Sequence, residues 1–323
     1  MALTLPLPKL AKTHFNPIDA YTDEALFEAS GVRIAFTCRS GGVSVGAYDS
    51  LNLGSHVNDD LDCVLENRNR VLRALAPEGT ELIVPKQVHK DTVLELDSPD
   101  ALIDVRRQAA AGADGLLVSV PRVAPLLCFA DCVPVIIVSP SKRFAVVHAG
   151  WRGVMNLISV KAVRLLALQD AVDLGQSLGG NPSPDEASRR DISDASTDVS
   201  ADDLARRLGM AKQGETPRVE ALPLKPLASQ FNVYIGPYIH AECFETSEDI
   251  HQKFVDSFSS RCDAGYRHID LGEALRVQLE RAGIAPERIA DVDTCTVCHN
   301  DEFFSYRAQN GVAGRHGAFA VRL

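Results

Sequence analysis

Apolar and polar positions alternate in short blocks along much of the chain, and glycine or proline separates many of these blocks. A period of two residues over four to eight positions is typical of β-strands. Longer apolar runs such as VPVIIV indicate strands that are buried on both faces. The pattern predicts strands within these ranges: 32–53, 81–96 (two strands), 113–120, 133–138, 144–147 and 231–239.

A helical period of 3.6 residues appears in fewer places. Apolar residues in the segment after Asp59 and Asp60 recur at helical spacing, and either aspartate is suited to cap the first turn. The predicted helices span about 62–75, 154–172, 247–258 and 270–283. The chain is therefore expected to be a mixed α/β protein with many strands and relatively few helices.

Two stretches lack a clear pattern. Residues 1–31 are interpreted as a loosely ordered lead-in to a single catalytic domain over 32–323. Residues 174–229 are rich in Ser, Asp, Ala, Gly and Pro and contain no aromatic residue. Such a composition cannot bury enough apolar surface to fold alone, so we interpret this stretch as a mobile surface insertion, with a short helix near 202–208.

Composition and charge argue against several classes of protein. Hydrophobic residues make up 46% of the chain, enough for a substantial core, while the net charge of −10 argues against general attraction to nucleic acid or to an anionic membrane surface. No run approaches the roughly 20 apolar residues of a membrane span, and the N-terminus lacks the pattern of a secretion signal. We expect a cytoplasmic protein, in which the eight cysteines are thiols, metal ligands or nucleophiles.

The segment FADCVPVIIVSPSKRFAVVHAGWRG, residues 129–153, carries the first candidate chemistry. It predicts a β-hairpin with a turn near residue 140, and Cys132 and His148 lie symmetrically about that residue. Directly opposed side chains in an antiparallel pair have Cβ atoms about 4.5–5.5 Å apart. The thiol and the imidazole could therefore share one metal ion.

A third ligand is available in KQVHKDT, where His89 is the candidate. Two histidines and one cysteine bind Zn²⁺ and leave an open position, which is typical of catalytic sites. An ordinary alternative is that Cys132 is a buried thiol and His148 a core histidine. In another alternative Cys132 is a nucleophile, His148 or His89 its base, and Asp131 the orienting carboxylate. The spacing does not separate these readings.

Two further cysteine patterns carry less weight. CTVCH at 295–299 matches the haem-attachment motif of c-type cytochromes, which requires export and a distal iron ligand. His240-Ala241-Glu242 followed by Cys295-x-x-Cys298 resembles the zinc deaminase signature, but Thr294 stands where that signature has proline.

Several motifs together resemble one known family. They are QVH (87–89), GADGLLVSVP (112–121), ADCVPVII (130–137), VVHAGWRG (146–153) and FFSYR (303–307), preceded by TCRSGGVSVGAYDSLNLGSHVNDD. They are similar to the multicopper-polyphenol-oxidase-like (laccase-like) proteins, also called peptidoglycan editing factors and purine nucleoside phosphorylases. The resemblance covers about 32–323 except the insertion. It implies an α+β fold, a four-layer α/β/β/α mixed β-sandwich, and a metal site at His89, Cys132 and His148.

The activity implied by the resemblance is phosphorolysis of adenosine, inosine and methylthioadenosine, with adenosine deamination as a second activity. The implied partners are purine nucleosides and phosphate, and zinc is expected in preference to copper. The motif arginines available to hold phosphate through paired hydrogen bonds are Arg39, Arg68, Arg152 and Arg307.

Two alternative functions stand beside phosphorolysis. One is an amidase or hydrolase that acts on peptidoglycan precursors with Cys132 as nucleophile. The other is a laccase-like phenol oxidoreductase, which the nine scattered histidines, without any H-x-H pair, disfavour. The chain also departs from the family pattern after GP, where Tyr238 and His240 replace the usual cysteine and glycine.

Overall fold

The computed structural model describes residues 3–177 and 224–323. Twelve strands occur in these ranges: β1 (Ala11–Phe15), β2 (Ile18–Thr22), β3 (Val32–Thr37), β4 (Glu81–Ile83), β5 (Val93–Leu96), β6 (Gly115–Val118), β7 (Val123–Phe129), β8 (Val133–Val138), β9 (Phe144–Ala149), β10 (Asn232–Ile235), β11 (Ile289–Asp291) and β12 (His316–Arg322). The helices are α1 (Glu24–Ser30), α2 (Leu61–Leu75), α3 (Leu102–Ala111), α4 (Trp151–Met155), α5 (Ile158–Ser177), α6 (Leu224–Ala228), α7 (Glu248–Ser257) and α8 (Leu271–Ala282).

The strands form two mixed six-stranded sheets. The first has the order β1-β2-β3-β12-β7-β4 and the second the order β11-β10-β8-β9-β6-β5. Most neighbours are antiparallel, while β4 with β7, β5 with β6 and β10 with β11 are parallel. The mixed sandwich expected from the sequence motifs is confirmed.

Alternate residues of β8 show how the layers pack. Ile136 and Val138 face the first sheet and pack in a core with Phe36 and Phe129. Val133, Val135 and Ile137 face the other way, into a core covered by α5 and α8. Every residue of β8 is buried, because both faces of this sheet are covered.

The outer face of the first sheet is covered by α2. Val71 and Leu75 of this helix pack in a core with Leu126 and Phe319 of the sheet. The helix begins where the sequence predicted, since the Asp60 carboxylate caps it by accepting a hydrogen bond from the Asp62 amide. The layers are thus α/β/β/α, with the helices outside the two sheets.

The N-terminal prediction was wrong over residues 11–30, which form β1, β2 and α1 rather than a loosely ordered lead-in. In β2 alternate residues are buried, among them Ile18 and Ala20, and the strand pairs with β3. Leu5, before these strands, is also buried in the core between the sheets. The signal for β2 was present as strict alternation, but the strand is short.

Other boundaries also differ from the predictions. The helix predicted over 154–172 is two helices, α4 and α5, separated at Leu157, which has a φ of 59°. Strand β7 and helix α3 were not predicted. The insertion predicted at 174–229 falls mostly outside the described residues, although α5 extends to Ser177 and α6 begins at Leu224.

The predicted hairpin forms, but its register is shifted. Pro134, not Cys132, lies opposite His148, and Val138 lies opposite Phe144. The turn is centred on residue 141 because the Ser139 amide donates to the Arg143 carbonyl across it. Cys132 therefore lies two residues beyond the partner of His148, on the same face and diagonal to it.

Within the part of the chain that the structure describes, none of the helices combines the length and the apolar character needed to cross a membrane.

Candidate metal centre

The three residues singled out by the sequence meet at one end of the second sheet. The ligand atoms of His89, Cys132 and His148 all lie within 4.8 Å of one another. The imidazole rings of His89 and His148 meet edge to face, with centroids 4.8 Å apart. His148 is buried, Cys132 is half-buried and His89 is exposed, so the group opens to solvent on the His89 side. This arrangement fits a metal ion with a position left for an external ligand.

The Asp114 carboxylate holds both histidines in place. It is fully buried and accepts hydrogen bonds from the backbone amides of Val88, His89 and Lys90 at 3.0, 2.9 and 2.7 Å. These bonds fix His89 at a φ of 57°, a left-handed conformation that is uncommon for histidine. A carboxylate oxygen of Asp114 also lies 3.4 Å from His148 Nδ1. Such carboxylate–histidine contacts orient metal ligands and raise their basicity.

We expect the Asp114→Asn variant to bind metal at this group more weakly by roughly 10- to 100-fold, the usual effect of losing a carboxylate behind a histidine ligand. The asparagine side chain retains one acceptor oxygen but loses the negative charge near His148. Competition with a chromophoric chelator measures the change. Asp170→Asn is a matched control, because Asp170 is a buried aspartate paired with Arg143 at the turn end of the hairpin. Equal affinities in the two variants would contradict the role of Asp114.

Charge within the group favours a thiolate. Burial alone would raise the pKa of Cys132, but the charge and hydrogen bond of His148 and the hydrogen bond of His89 lower this pKa to about 6. Burial alone would lower the pKa of His148, whereas Cys132 and Asp114 raise it to about 9. Cys132 and His148 thus stabilise each other as a thiolate–imidazolium pair, and a bound cation would take the place of the shared proton.

Asp131 links this group to two distant segments. It has a φ of 88° and immediately precedes Cys132. Its carboxylate accepts a hydrogen bond from the Thr296 hydroxyl at 2.7 Å and another from the Arg307 amide at 2.7 Å. Its carbonyl accepts a hydrogen bond from the Ile239 amide at 3.0 Å. Asp131 therefore acts through the backbone, by fixing where the Cys132 side chain is presented.

Gly150 leaves the space in front of the three ligands. A Cβ atom at this position would lie 3.0 Å from Cys132 Sγ, 3.5 Å from His148 Cε1 and 3.6 Å from His89 Cδ2. The backbone there has a φ of −66°, which any residue adopts. The absence of a side chain is therefore needed for space at the group and not for backbone conformation.

A Gly150→Ala variant is expected to fold normally and to bind metal at least roughly tenfold more weakly, because ligand positions tolerate only small displacements. Thermal unfolding of the metal-free protein checks the first expectation and a chelator titration checks the second. Unchanged affinity in a normally folded variant would show that the group does not converge on an ion in front of Gly150.

Most of the motif arginines are bound to other parts of the chain. Arg39 donates to the Asp49 and Asn300 carbonyls, and Arg68 donates to the Leu53 carbonyl and the Ser55 hydroxyl.

Arg307 donates to the carbonyls of Cys243 and Glu245 at 2.9 and 3.3 Å. Arg152 differs, because among the described residues its guanidinium makes neither a hydrogen bond nor an ion pair and only stacks on Trp151, 4.2 Å from the ring centroid. Arg152 is exposed and follows Gly150 by two positions.

Further residues near the group were not identified from the sequence. His56 is exposed, yet partial desolvation and then the charges of Arg315 and Arg68 lower its pKa to about 4. Its imidazole is therefore neutral at pH 7, and the charges of His89 and His148 also act on it. Gln87 exchanges two hydrogen bonds with the Cys128 backbone, each 2.8 Å long, and so anchors the His89 segment. His56 and Gln87 both lie within the motifs quoted above, and this position in the motifs was the sequence signal that could have identified them.

Residues 33–179 and 216–322 match the model of the family described as multi-copper polyphenol oxidoreductase laccase. A purine nucleoside phosphorylase, YlmD of Geobacillus stearothermophilus, is 27% identical over 91% of this chain and 91% of its own length. Adenosine deaminase RL5, from an unknown prokaryotic organism, is 26% identical over 88% of this chain and 92% of its own length.

Solved structures share the fold. The crystal structure of Bacillus licheniformis hypothetical protein YfiH has a TM-score of 0.66 and 24% identity, covering 94% of this chain and 96% of that one. The crystal structure of G. stearothermophilus YlmD has a TM-score of 0.62 and 27% identity, covering 90% and 92%.

The match to the family model takes in the whole second sheet, the first sheet apart from β1, β2 and the first residue of β3, and all three residues of the candidate centre. It leaves out 180–215 within the region of the predicted insertion. The chain belongs to the multi-copper polyphenol oxidoreductase laccase family, which includes proteins named as purine nucleoside phosphorylases and as an adenosine deaminase.

Proposed function

We propose that this protein is a zinc-dependent purine nucleoside phosphorylase that cleaves adenosine, inosine and methylthioadenosine, with adenosine deamination as a second activity. The observation that carries the proposal is the convergence of His89, Cys132 and His148 at a solvent-open position. Relatives named for each of the two activities support it. The proposed partners are purine nucleosides and phosphate, and the cytoplasmic location stays a prediction.

The donor set suits zinc. One thiolate and two imidazoles are ligands that Zn²⁺ prefers, whereas multicopper oxidation needs histidines in paired clusters, and the nine histidines of this chain are scattered without any H-x-H pair. When bound, the zinc would supply Lewis acidity at the open position, where it lowers the pKa of water and polarises oxygen atoms. Asp114 and Asp131 keep the ligand side chains oriented for it.

Phosphorolysis needs an anion beside the nucleoside. Arg152 is the most available of the four motif arginines for this role, because among the described residues its guanidinium makes neither a hydrogen bond nor an ion pair and only stacks on Trp151. A guanidinium binds phosphate through two parallel hydrogen bonds. The neutral His56 imidazole, near the cationic Arg315 and Arg68, can exchange hydrogen bonds with an uncharged purine or sugar without adding charge.

The test is incubation of zinc-loaded protein with inosine and phosphate, followed by chromatography for hypoxanthine and ribose 1-phosphate. Both products are expected, in equal amounts and only with phosphate present. A parallel incubation with adenosine is expected to give inosine without phosphate. Absence of hypoxanthine, when metal analysis shows the zinc to be bound, would overturn the phosphorylase proposal.

A second candidate function is favoured by the thiolate–imidazolium pair. A cysteine with a lowered pKa beside a histidine, which is itself oriented by Asp114, is also the arrangement of a cysteine nucleophile. In that case the protein would be an amidase or hydrolase acting on peptidoglycan precursors. Activity that survives removal of zinc but is lost on alkylation of Cys132 would favour it over phosphorolysis.

A further inference from the structure

A second group of sulfur ligands lies apart from the first. The ligand atoms of Glu242, Cys243, Cys295 and Cys298 are all within 4.8 Å of one another. Cys243 Sγ lies 3.6 Å from Cys298 Sγ, and Cys298 Sγ lies 3.9 Å from a Glu242 carboxylate oxygen. We propose that these four residues form a second metal site, for Zn²⁺, with a structural role.

Backbone hydrogen bonds bring these residues together. Tyr238 and Cys295 form a parallel bridge, in which the Thr296 amide donates to the Tyr238 carbonyl at 3.0 Å. From there one segment turns back at Cys243, whose amide donates to the His240 carbonyl at 3.0 Å. The other segment turns at Cys298, because the His299 amide donates to the Cys295 carbonyl at 2.9 Å. A Cys-x-x-Cys pair on one segment facing a cysteine on another is the usual frame of a zinc site.

The arrangement differs from the deaminase-like pattern in the sequence. That pattern would place His240 beside Cys295 and Cys298, whereas the structure places the Cys243 thiol there. His240 instead supports the group, since its amide donates to Cys295 Sγ at 3.4 Å and its ring lies 4.0 Å from the Glu242 carboxylate. Amide hydrogen bonds to sulfur are a common outer contact of metal-bound thiolates.

The ligand set points to zinc and to a closed site. Three thiolates and one carboxylate supply four ligands, and four-coordinate tetrahedral binding is typical of structural zinc. A disulfide would use two of the three thiols and leave the third beside it, whereas one metal ion uses all three. Cys295 is buried while Cys298 and Glu242 are exposed, so an ion can enter from solvent.

The position of this group suggests what the ion stabilises. Thr296, next to Cys295, donates to the Asp131 carboxylate, and Arg307 joins the Cys243 carbonyl to the same carboxylate through its amide. A metal across the two segments would therefore hold the backbone that presents Cys132. The second site is a structural metal site that links the two segments, and it takes no part in substrate chemistry.

Metal content of the purified, reduced protein after loading with Zn²⁺ tests the proposal. The two groups predict two equivalents per chain in the wild type and one in Cys298→Ser, whose exposed position tolerates the change. Cys132→Ser is expected to keep the zinc equivalent of the second group, which Cys298→Ser loses. Cys63→Ser, on α2, is the control and should keep both equivalents. The Cys298→Ser variant should also unfold at a lower temperature than the wild type.

Cobalt substitution gives an independent readout. The thiolate-to-cobalt absorption should come mainly from this group, so Cys132→Ser keeps most of it and Cys298→Ser loses a large part. If Cys298→Ser does not fold, Glu242→Gln takes its place, because it leaves all thiols intact. This variant should shift the visible cobalt bands. Equal metal content and equal cobalt spectra in wild type and Cys298→Ser, or a Cys243–Cys298 disulfide in the purified protein by mass spectrometry, would overturn the proposal. None of these outcomes depends on whether the protein is a phosphorylase.

Discussion

Replacing Cys132 with serine is expected to remove the metal from the His89, Cys132 and His148 group and to abolish most of the activity. Serine keeps the size of the side chain, but its hydroxyl does not ionise near neutral pH and is a poor zinc ligand. Losing the Lewis acid should cost several kcal/mol of transition-state stabilisation, which corresponds to about a thousandfold in kcat/KM for inosine. Metal analysis and initial rates measure the two effects.

The same variant separates the two roles of Cys132, and Cys63→Ser is its matched control because that cysteine lies on α2, in neither cysteine-containing group. Full metal content at the first group together with lost activity would assign Cys132 as a nucleophile. Retention of both metal and activity would rule out both roles of Cys132, as a metal ligand and as a nucleophile.

The elements with strong local signals could be predicted from the sequence. Helix α2 was recognised from its apolar spacing and its capping aspartate, and strand β8 from an unbroken apolar run. The order of strands in the sheets could not be read this way, because β12 at the C-terminus pairs with β3 and β7, which are far from it in sequence. Such pairings depend on packing over the whole core, and here their only sequence indication was the family resemblance.

The grouping of the three candidate ligands was also predictable, but not what positions them. His89, Cys132 and His148 were identified although the hairpin register was wrong by two residues, because diagonal neighbours on one face still meet. Asp114 and Asp131 were not assigned their roles. They act by accepting hydrogen bonds from backbone amides of distant segments, and acceptance by a carboxylate leaves no spacing pattern in a sequence.

Asp131 also shows how the parts of the molecule depend on one another. Its carboxylate binds Thr296 and the Arg307 amide, its carbonyl binds Ile239, and the next residue is Cys132. Removing this carboxylate would leave the buried Thr296 hydroxyl and the Arg307 amide without their acceptor. The segments that carry the second cysteine group are thus connected to the first centre through both the side chain and the backbone of Asp131.

Replacing Arg152 with alanine is expected to raise the KM for phosphate by roughly a hundredfold, since a pair of hydrogen bonds to a charged group contributes about 3 kcal/mol. The variant should fold normally, because the guanidinium is exposed and its contact in the described structure is stacking on Trp151. Initial rates of inosine phosphorolysis at varied phosphate concentration measure the effect. Arg152→Lys keeps the charge without the paired geometry and should recover part of the affinity.

Adenosine deamination provides the internal control for Arg152, because water and not phosphate is its second reactant. The deamination rate of Arg152→Ala should equal that of the wild type, whereas a general disturbance of the centre would lower both activities. Arg307→Ala is the matched arginine control: its guanidinium holds the Cys243 and Glu245 carbonyls, so we expect lower stability and an unchanged KM for phosphate. If Arg152→Ala keeps the wild-type KM for phosphate, the anion is bound elsewhere. Arg315 is then the next arginine to test, because its charge acts on Cys132 and Asp131.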